Sequence, residues 1–381
     1  MTDKIFHWLK PLASLKLTIF CLACAIVLVF IGTVDQVHIG IFEAQNRYFK
    51  SFFLYFTPPR TTLKIPWFPG GYLVGGLLLV NLIVAHVARF RFSWKKAGII
   101  LLHSGLILLL VGQLITSLFQ VESQMRLDQG ETKNYSESFY YDELAVIDTS
   151  GKDSDRVISV PASQLHKGAK IVLPADSLQL VIHDYYANSA LVNVSQLPSP
   201  NYPHLVLGPM AVSVPLRRTY KQDERNQPTA AISVIQEGHT VGSWNVATEF
   251  PQSFQAGGKD YQMVLRPKRY YKPFAIQLIQ FRHDRYAGTD IAKNFSSRIR
   301  LMDPTQHEDR ESLIFMNNPL RYAGMTFYQA GFDNNDTTTV LQVVKNPGWL
   351  IPYISCGLIV VGLLLQFGMH LANFVRRRVI A

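Results

Sequence analysis

Four strongly apolar runs, residues 17–34, 70–88, 97–119 and 349–374, carry no Asp, Glu, Lys or Arg. Each reaches the roughly 18–20 apolar residues that a helix needs to cross a hydrocarbon core. In hydrocarbon only a helix satisfies every backbone group within one segment, so the pattern predicts four transmembrane helices. Between the third and fourth runs the texture changes. Phe274-Ala275-Ile276-Gln277-Leu278 alternates apolar with smaller or polar residues and then slips register at Ile279 and Phe281, as a β-bulge would make it. Leu178–Ile182, Ala231–Ile235 and Thr339–Val343 are further short strand-like runs. Gly257-Gly258, Asn317-Asn318-Pro319 and Asp333-Asn334-Asn335 supply turns between such runs. The predicted layout is a membrane region over 1–119 and an all-β domain, sandwich or distorted barrel, over 120–348. A fourth transmembrane helix with a basic tail follows over 349–381.

Charge changes the picture only once it is located. The 381 residues carry a formal net charge of +10, which taken alone suggests a nucleic-acid partner. Residues 120–348, however, hold 23 basic and 24 acidic side chains. The excess flanks the apolar runs instead, at Lys4, Lys10 and Lys16, at Arg89, Arg91, Lys95 and Lys96, and at Arg376, Arg377 and Arg378. Such clusters orient membrane helices, so no nucleic acid is implied. Lys10 and Lys16 precede the first run as they would in a signal peptide. Gly32-Thr33-Val34-Asp35-Gln36 offers no small-x-small cleavage site, and the helix is expected to stay. The expected protein is multi-pass in the cytoplasmic (inner) membrane, with the 120–348 domain on the extracytoplasmic, periplasmic side.

Chemistry is sparse. The three cysteines, Cys21, Cys24 and Cys356, all lie in the apolar runs, which leaves the 120–348 domain without a disulfide. Cys21 and Cys24 sit one helical turn apart in apolar surroundings and read as packing residues. Ala25 rather than His follows Cys24, so this is no haem-attachment site. No phosphate loop, nucleophile elbow, zincin motif or dinucleotide fingerprint is present. His86, His103 and His370 stand out because an ionisable group in a span is costly and suggests function, with a helix-to-helix hydrogen bond as the plain alternative. His86 and His370 lie near basic clusters, where an imidazole at headgroup depth needs little explanation. His103 lies about 9 Å along a helix from Ala97. It opens His103-Ser104-Gly105, whose small residues admit a flat ligand or another helix. A neutral imidazole in lipid can ligate haem iron, while the absence of Asp and Glu from all four runs disfavours ion translocation.

Several local patterns then resemble the ResB (CcsB) family of system II cytochrome c biogenesis. They are Leu12-Ala13-Ser14-Leu15-Lys16-Leu17-Thr18 leading to Ile31-Gly32-Thr33, the run His103–Gly112, the run Met316–Phe332, and Asn346-Pro347-Gly348 before the last span. The resemblance implies a haem-handling, haem-exporting subunit of a cytochrome c synthetase. Such a subunit acts with a ResC/CcsA-like membrane protein to deliver haem b to the Cys-x-x-Cys-His of apocytochromes c. It implies His103 as a ligand of the haem iron, with the opposing ligand supplied by the partner; His370 is a second cofactor-binding candidate from its place in the fourth run alone. The tryptophan-rich haem segment of that partner is missing here, so the chain is expected not to be catalytic alone. The competing reading is a membrane-anchored β-domain that scaffolds partners and holds no cofactor.

Overall fold

A computed structural model describes residues 11–89, 93–152, 154–174, 177–197, 199, 203–208, 211–221, 224–248, 250–288, 292–333 and 337–380. Lys4, Lys10 and Arg91 of the basic flanks, and Asn334-Asn335 of the third turn, lie outside the described residues. The chain divides into two units, Met1–Val121 with Lys345–Ala381, and Glu122–Val344.

The first unit is helical. Its long helices are α1 (Leu15–Ile39), α2 (Gly71–Arg89), α3 (Ala97–Phe119) and α4 (Ile351–Ile380). By length and composition α1, α3 and α4 can cross a membrane; the apolar part of α2, Gly71–Val87, is shorter. Neighbours run antiparallel, and polar pairs fix their order. Thr18 donates to Asn81 Oδ1 at 2.7 Å, and Asn81 Nδ2 donates to the carbonyls of Leu12 and Ser14, which joins the start of α1 to the second half of α2. Tyr72 and Ser117 share a 2.9 Å hydrogen bond between the start of α2 and the end of α3. Gly98, Gly105 and Gly112 are buried one heptad apart on α3, and α4 packs on that stripe in the reverse direction. Lys16, Lys96 and Arg376–Arg378 therefore gather at one end of the bundle. At the other end Asn346 clasps the helices, since its Nδ2 donates to Thr116 Oγ1 at 3.2 Å and to Gln120 Oε1 at 3.3 Å. Its Oδ1 accepts from Gly348 N, which sets the entry into α4.

Beyond α1 the chain turns at Gly40 and forms a short helix (Ile41–Ala44) and a π-helical turn (Gln45–Phe49). A hairpin follows, pairing Phe53–Phe56 with Ile65–Pro69. Gly70 and Gly71 close its base, because a Cβ on either would meet the Ser51 or Phe49 backbone at 2.8 Å or less.

The second unit is β-rich and nearly barrel-shaped. Its main strands are β1 (Val121–Asp128), β2 (Thr132–Asp148), β3 (Arg156–Pro161), β4 (Leu178–Tyr186), β5 (Thr229–Gln236), β6 (His239–Ala247), β7 (Lys259–Arg285), β8 (Ala292–Asp303), β9 (Glu308–Phe315), β10 (Met325–Asp333) and β11 (Thr338–Lys345). The largest sheet runs β9-β8-β7-β2-β1-β11-β10, then the short strand Leu320–Tyr322; a second sheet runs β6-β5-β4. The register between β7 and β8 shifts between Leu278 and Gln280, where the alternation slips in sequence. Two apolar cores result. One holds Leu144, Val146, Leu180, Ile232 and Met263; the other holds Leu127, Phe274, Ile276, Leu301 and Phe327.

β7 runs through both cores, and the joint between them is polar. Its register with β2 breaks between Pro267 and Arg269 and again between Tyr271 and Ile276. Proline has no N–H for the ladder, so a break at Pro267 follows from its chemistry. Around the break Arg266 Nε donates to Glu143 Oε1 at 3.0 Å and Arg269 Nε to Glu137 Oε1 at 3.0 Å. Lys272 Nζ donates to Ser136 Oγ at 2.6 Å and to the Tyr270 carbonyl at 3.0 Å.

Candidate functional site

The structure brings together two of the three histidines of the long apolar helices. His103 on α3 and His86 on α2 have ring centroids 6.3 Å apart, with planes inclined by 36°. His103 Nδ1 lies 2.8 Å from the carbonyl of Ile99, one turn earlier on the same helix. A carbonyl can only accept, so Nδ1 carries the proton, and in the neutral ring Nε2 holds the lone pair. A backbone carbonyl on one ring nitrogen is also what commonly orients a metal-bound imidazole.

His370 stands apart from this pair. It is exposed on α4 and accepts from Gln366 Nε2 at 2.8 Å. α4 packs on the glycine stripe of α3, and at 3.6 residues per turn Gly105 points about 200° around the helix from His103. A Cβ on Gly105 would meet Ile359 Cγ1 at 2.7 Å and the Ser355 carbonyl at 2.9 Å. Of the two uses foreseen for Gly105, a flat ligand or another helix, the structure shows the helix. His86, discounted for its nearness to Arg89, emerges as the neighbour of His103.

In the β-rich unit a cleft of about 540 Å³ is lined by Glu122, Arg126, Tyr140, Asp142, Lys221 and Arg225 among others. Burial pushes the Asp142 carboxyl up to about 6, against the opposing pull of Arg218 and Arg225. Burial also lowers Lys272 to about 8. These two groups give stability opposite pH slopes. Asp142 holds its proton more tightly folded than unfolded. Its contribution is therefore full below about 4 and lost as pH rises through about 6. Lys272 holds its proton less tightly folded, so its cost is relieved as pH rises from about 8 towards 10.5. Thermal unfolding of the purified protein across pH should show both slopes, each of the order of 2–3 kcal/mol. Asp142→Asn should abolish the acidic slope and leave the basic one; an unchanged acidic slope would assign it elsewhere. Neither group stood out in the sequence, since only folding buries them.

The residues of Met316–Phe332 serve mainly to build strands. Ala323 and Gly324, both at positive φ, make the two-residue turn between Tyr322 and Met325. Phe327 is fully buried, and Tyr322 donates to Asp303 Oδ2 at 2.8 Å. Among the described residues no group of three or more His, Cys, Asp or Glu side chains is placed to hold a metal ion.

Comparison with known proteins places this segment. The ResB-like family model matches residues 231–340, which run from β5 into β11 and include Met316–Phe332. Protein NrfI of Wolinella succinogenes is 35% identical over 98 residues, covering 26% of this chain and 11% of NrfI. The resemblance to the ResB-like family is thus shown over the second half of the β-rich unit. His86, His103 and His370 lie outside the residues matched by the family model.

Proposed function

Taking as premise a ResB-like β-segment carried on a bundle with membrane-length helices, we propose that the protein serves cytochrome c biogenesis by handling haem. In this reading haem b is cargo, held at the His103–His86 pair, and a ResC/CcsA-like membrane protein completes the unit that serves apocytochromes c. Four helices cross the membrane, α2 included, and the β-rich unit faces outward. The gathering of Lys16, Lys96 and Arg376–Arg378 at one end of the bundle supports that orientation.

The single observation that carries the haem reading is the state of His103. Its Nδ1 is tied to Ile99 O, and its ring stands beside a second imidazole on a facing helix. An ordinary packing histidine needs only the first of these. Two imidazoles facing each other in a lipid-embedded bundle suit a metal-centred, largely apolar macrocycle, which buries its hydrocarbon body while its iron takes nitrogen ligands.

The test is an absorption spectrum of the protein purified with its membrane partner. His103→Ala should remove most of the haem band and most cytochrome c maturation. His86→Ala should weaken haem retention by about tenfold or more, because it removes one imidazole of the pair that holds the haem. His370→Ala should leave the band near its normal height. A normal band in His103→Ala, with the protein normally inserted, would reduce the residue to packing and leave the scaffold reading in its place.

A further inference from the structure

The segment between α1 and α2 exposes more large apolar surface than a hairpin in water can sustain. Phe52, Phe53, Tyr55, Phe56, Leu63, Ile65 and Trp67 are all exposed, Trp67 by 54%. Leu54 turns inward, into the cluster of Leu28, Tyr48 and Val74, and the half-buried Phe68 packs against it, which seats the hairpin on the helices. A lone two-stranded hairpin is marginal in water, and an uncovered apolar strand edge invites aggregation. Something covers this one.

We propose that the Phe53–Pro69 hairpin lies in the membrane–water interface, as an aromatic anchor at the headgroup–acyl boundary of the leaflet opposite the basic helix ends. Three observations point to lipid as the occupant. The hairpin is continuous with the helices: Gly70 N donates to Phe52 O at 2.8 Å and Tyr72 N to Ser51 O at 3.1 Å, which holds it at the start of α2. Its charge is one-sided, because residues 50–69 contain Lys50, Arg60 and Lys64 and no acid, which suits phosphate headgroups above apolar chains. A second aromatic pair, Trp349 just before α4 and Tyr353 in its first turn, is exposed at the same end of the bundle. Trp and Tyr gather at that depth because their rings are apolar and their N–H and O–H groups want water. The inference concerns the membrane fit of the bundle and stands whether or not haem is the cargo.

The test uses the full chain in vesicles of phosphatidylcholine and phosphatidylglycerol. The tryptophan emission lost on Trp67→Phe reports Trp67 alone. That component should be quenched severalfold by lipids brominated high on the acyl chain. It should respond less to lipids brominated near the chain end, and little to aqueous iodide. Should Trp67→Phe fold poorly, Tyr55→Trp reads the same depth from the other strand, as the emission gained over the unmodified protein. Quenching by iodide but not by bromolipid would place the hairpin in water and overturn the proposal. Protection from both would show a protein partner on this face and overturn it equally.

Discussion

Glu143→Ala is expected to cost the β-rich unit about 3–5 kcal/mol, read by denaturant unfolding of the purified protein. Glu143 and Arg266 are nearly inaccessible, with side chains 2% and 8% exposed. Their Nε–Oε1 contact is 3.0 Å, and Glu143 Oε2 also accepts from Ser159 Oγ at 2.5 Å. Removing the carboxylate leaves a nearly inaccessible guanidinium without its counter-charge. Glu143→Gln keeps a hydrogen-bond acceptor and should cost less. The double change Glu143→Leu with Arg266→Met removes both charges together and should recover most of the loss, since two apolar side chains of similar volume need no partners. Destabilisation below about 1 kcal/mol in Glu143→Ala would mean that the joint between the two cores is solvated in solution. Equal losses in the single and double variants would assign the effect to lost packing instead.

The elements at this joint show what sequence reading reaches. Strands over Leu178–Ile182, Ala231–Ile235 and Thr339–Val343 were legible, because half-buried strands write their two faces into alternation. The bulge near Ile279 was legible for the same reason, since an extra residue flips the faces. The length of β7 was not. Twenty-seven residues in one strand, through Pro267, contradict local propensity and exist because two cores share that strand. Nothing in sequence announced that Glu143 and Arg266 would pair across 123 positions.

In the helical unit, three helices of membrane length stand where uncharged apolar runs predict spans. His103 stands out in the sequence for its depth within an apolar run, and the structure places its ring beside that of His86. His86 was set aside because Arg89 lay close by, which weighed its distance from the charge and ignored the hairpin it belongs to. α2 and α3 fold back around a short basic turn, so residues equidistant from that turn face each other. The pairs Tyr72–Ser117 and His86–His103 share one midpoint, between Trp94 and Lys95. An antiparallel helical hairpin about that midpoint is enough to pair the two histidines from sequence. The shielding of Gly105 by α4 was out of reach, because it depends on a helix almost 250 residues away.

Substitutions along the glycine stripe should separate helix packing from the histidine pair. A Cβ on Gly98 would lie 2.8 Å from Gln366 N and from Gly362 O, both backbone atoms of α4. One on Gly105 would meet the Ser355 carbonyl at 2.9 Å, whereas one on Gly112 would meet mainly the Ile351 side chain. Backbone cannot rotate aside, and a side chain can. Small residues bring transmembrane helices close enough for dense van der Waals contact, so an added methyl forces the axes apart and loses contacts along the seam. Gly98→Ala and Gly105→Ala should each destabilise the helical unit by about 1–3 kcal/mol, with Gly112→Ala milder. Thermal unfolding in detergent, followed by far-ultraviolet circular dichroism, measures the order. On the proposed haem reading, because the stripe faces away from His103, haem retention at temperatures below unfolding should stay near normal in all three variants. If Gly112→Ala proved the most damaging, the α3–α4 packing described here would be wrong. If Gly98→Ala lost haem while still folded, α4 would bear on the histidine pair despite lying on the opposite face of α3.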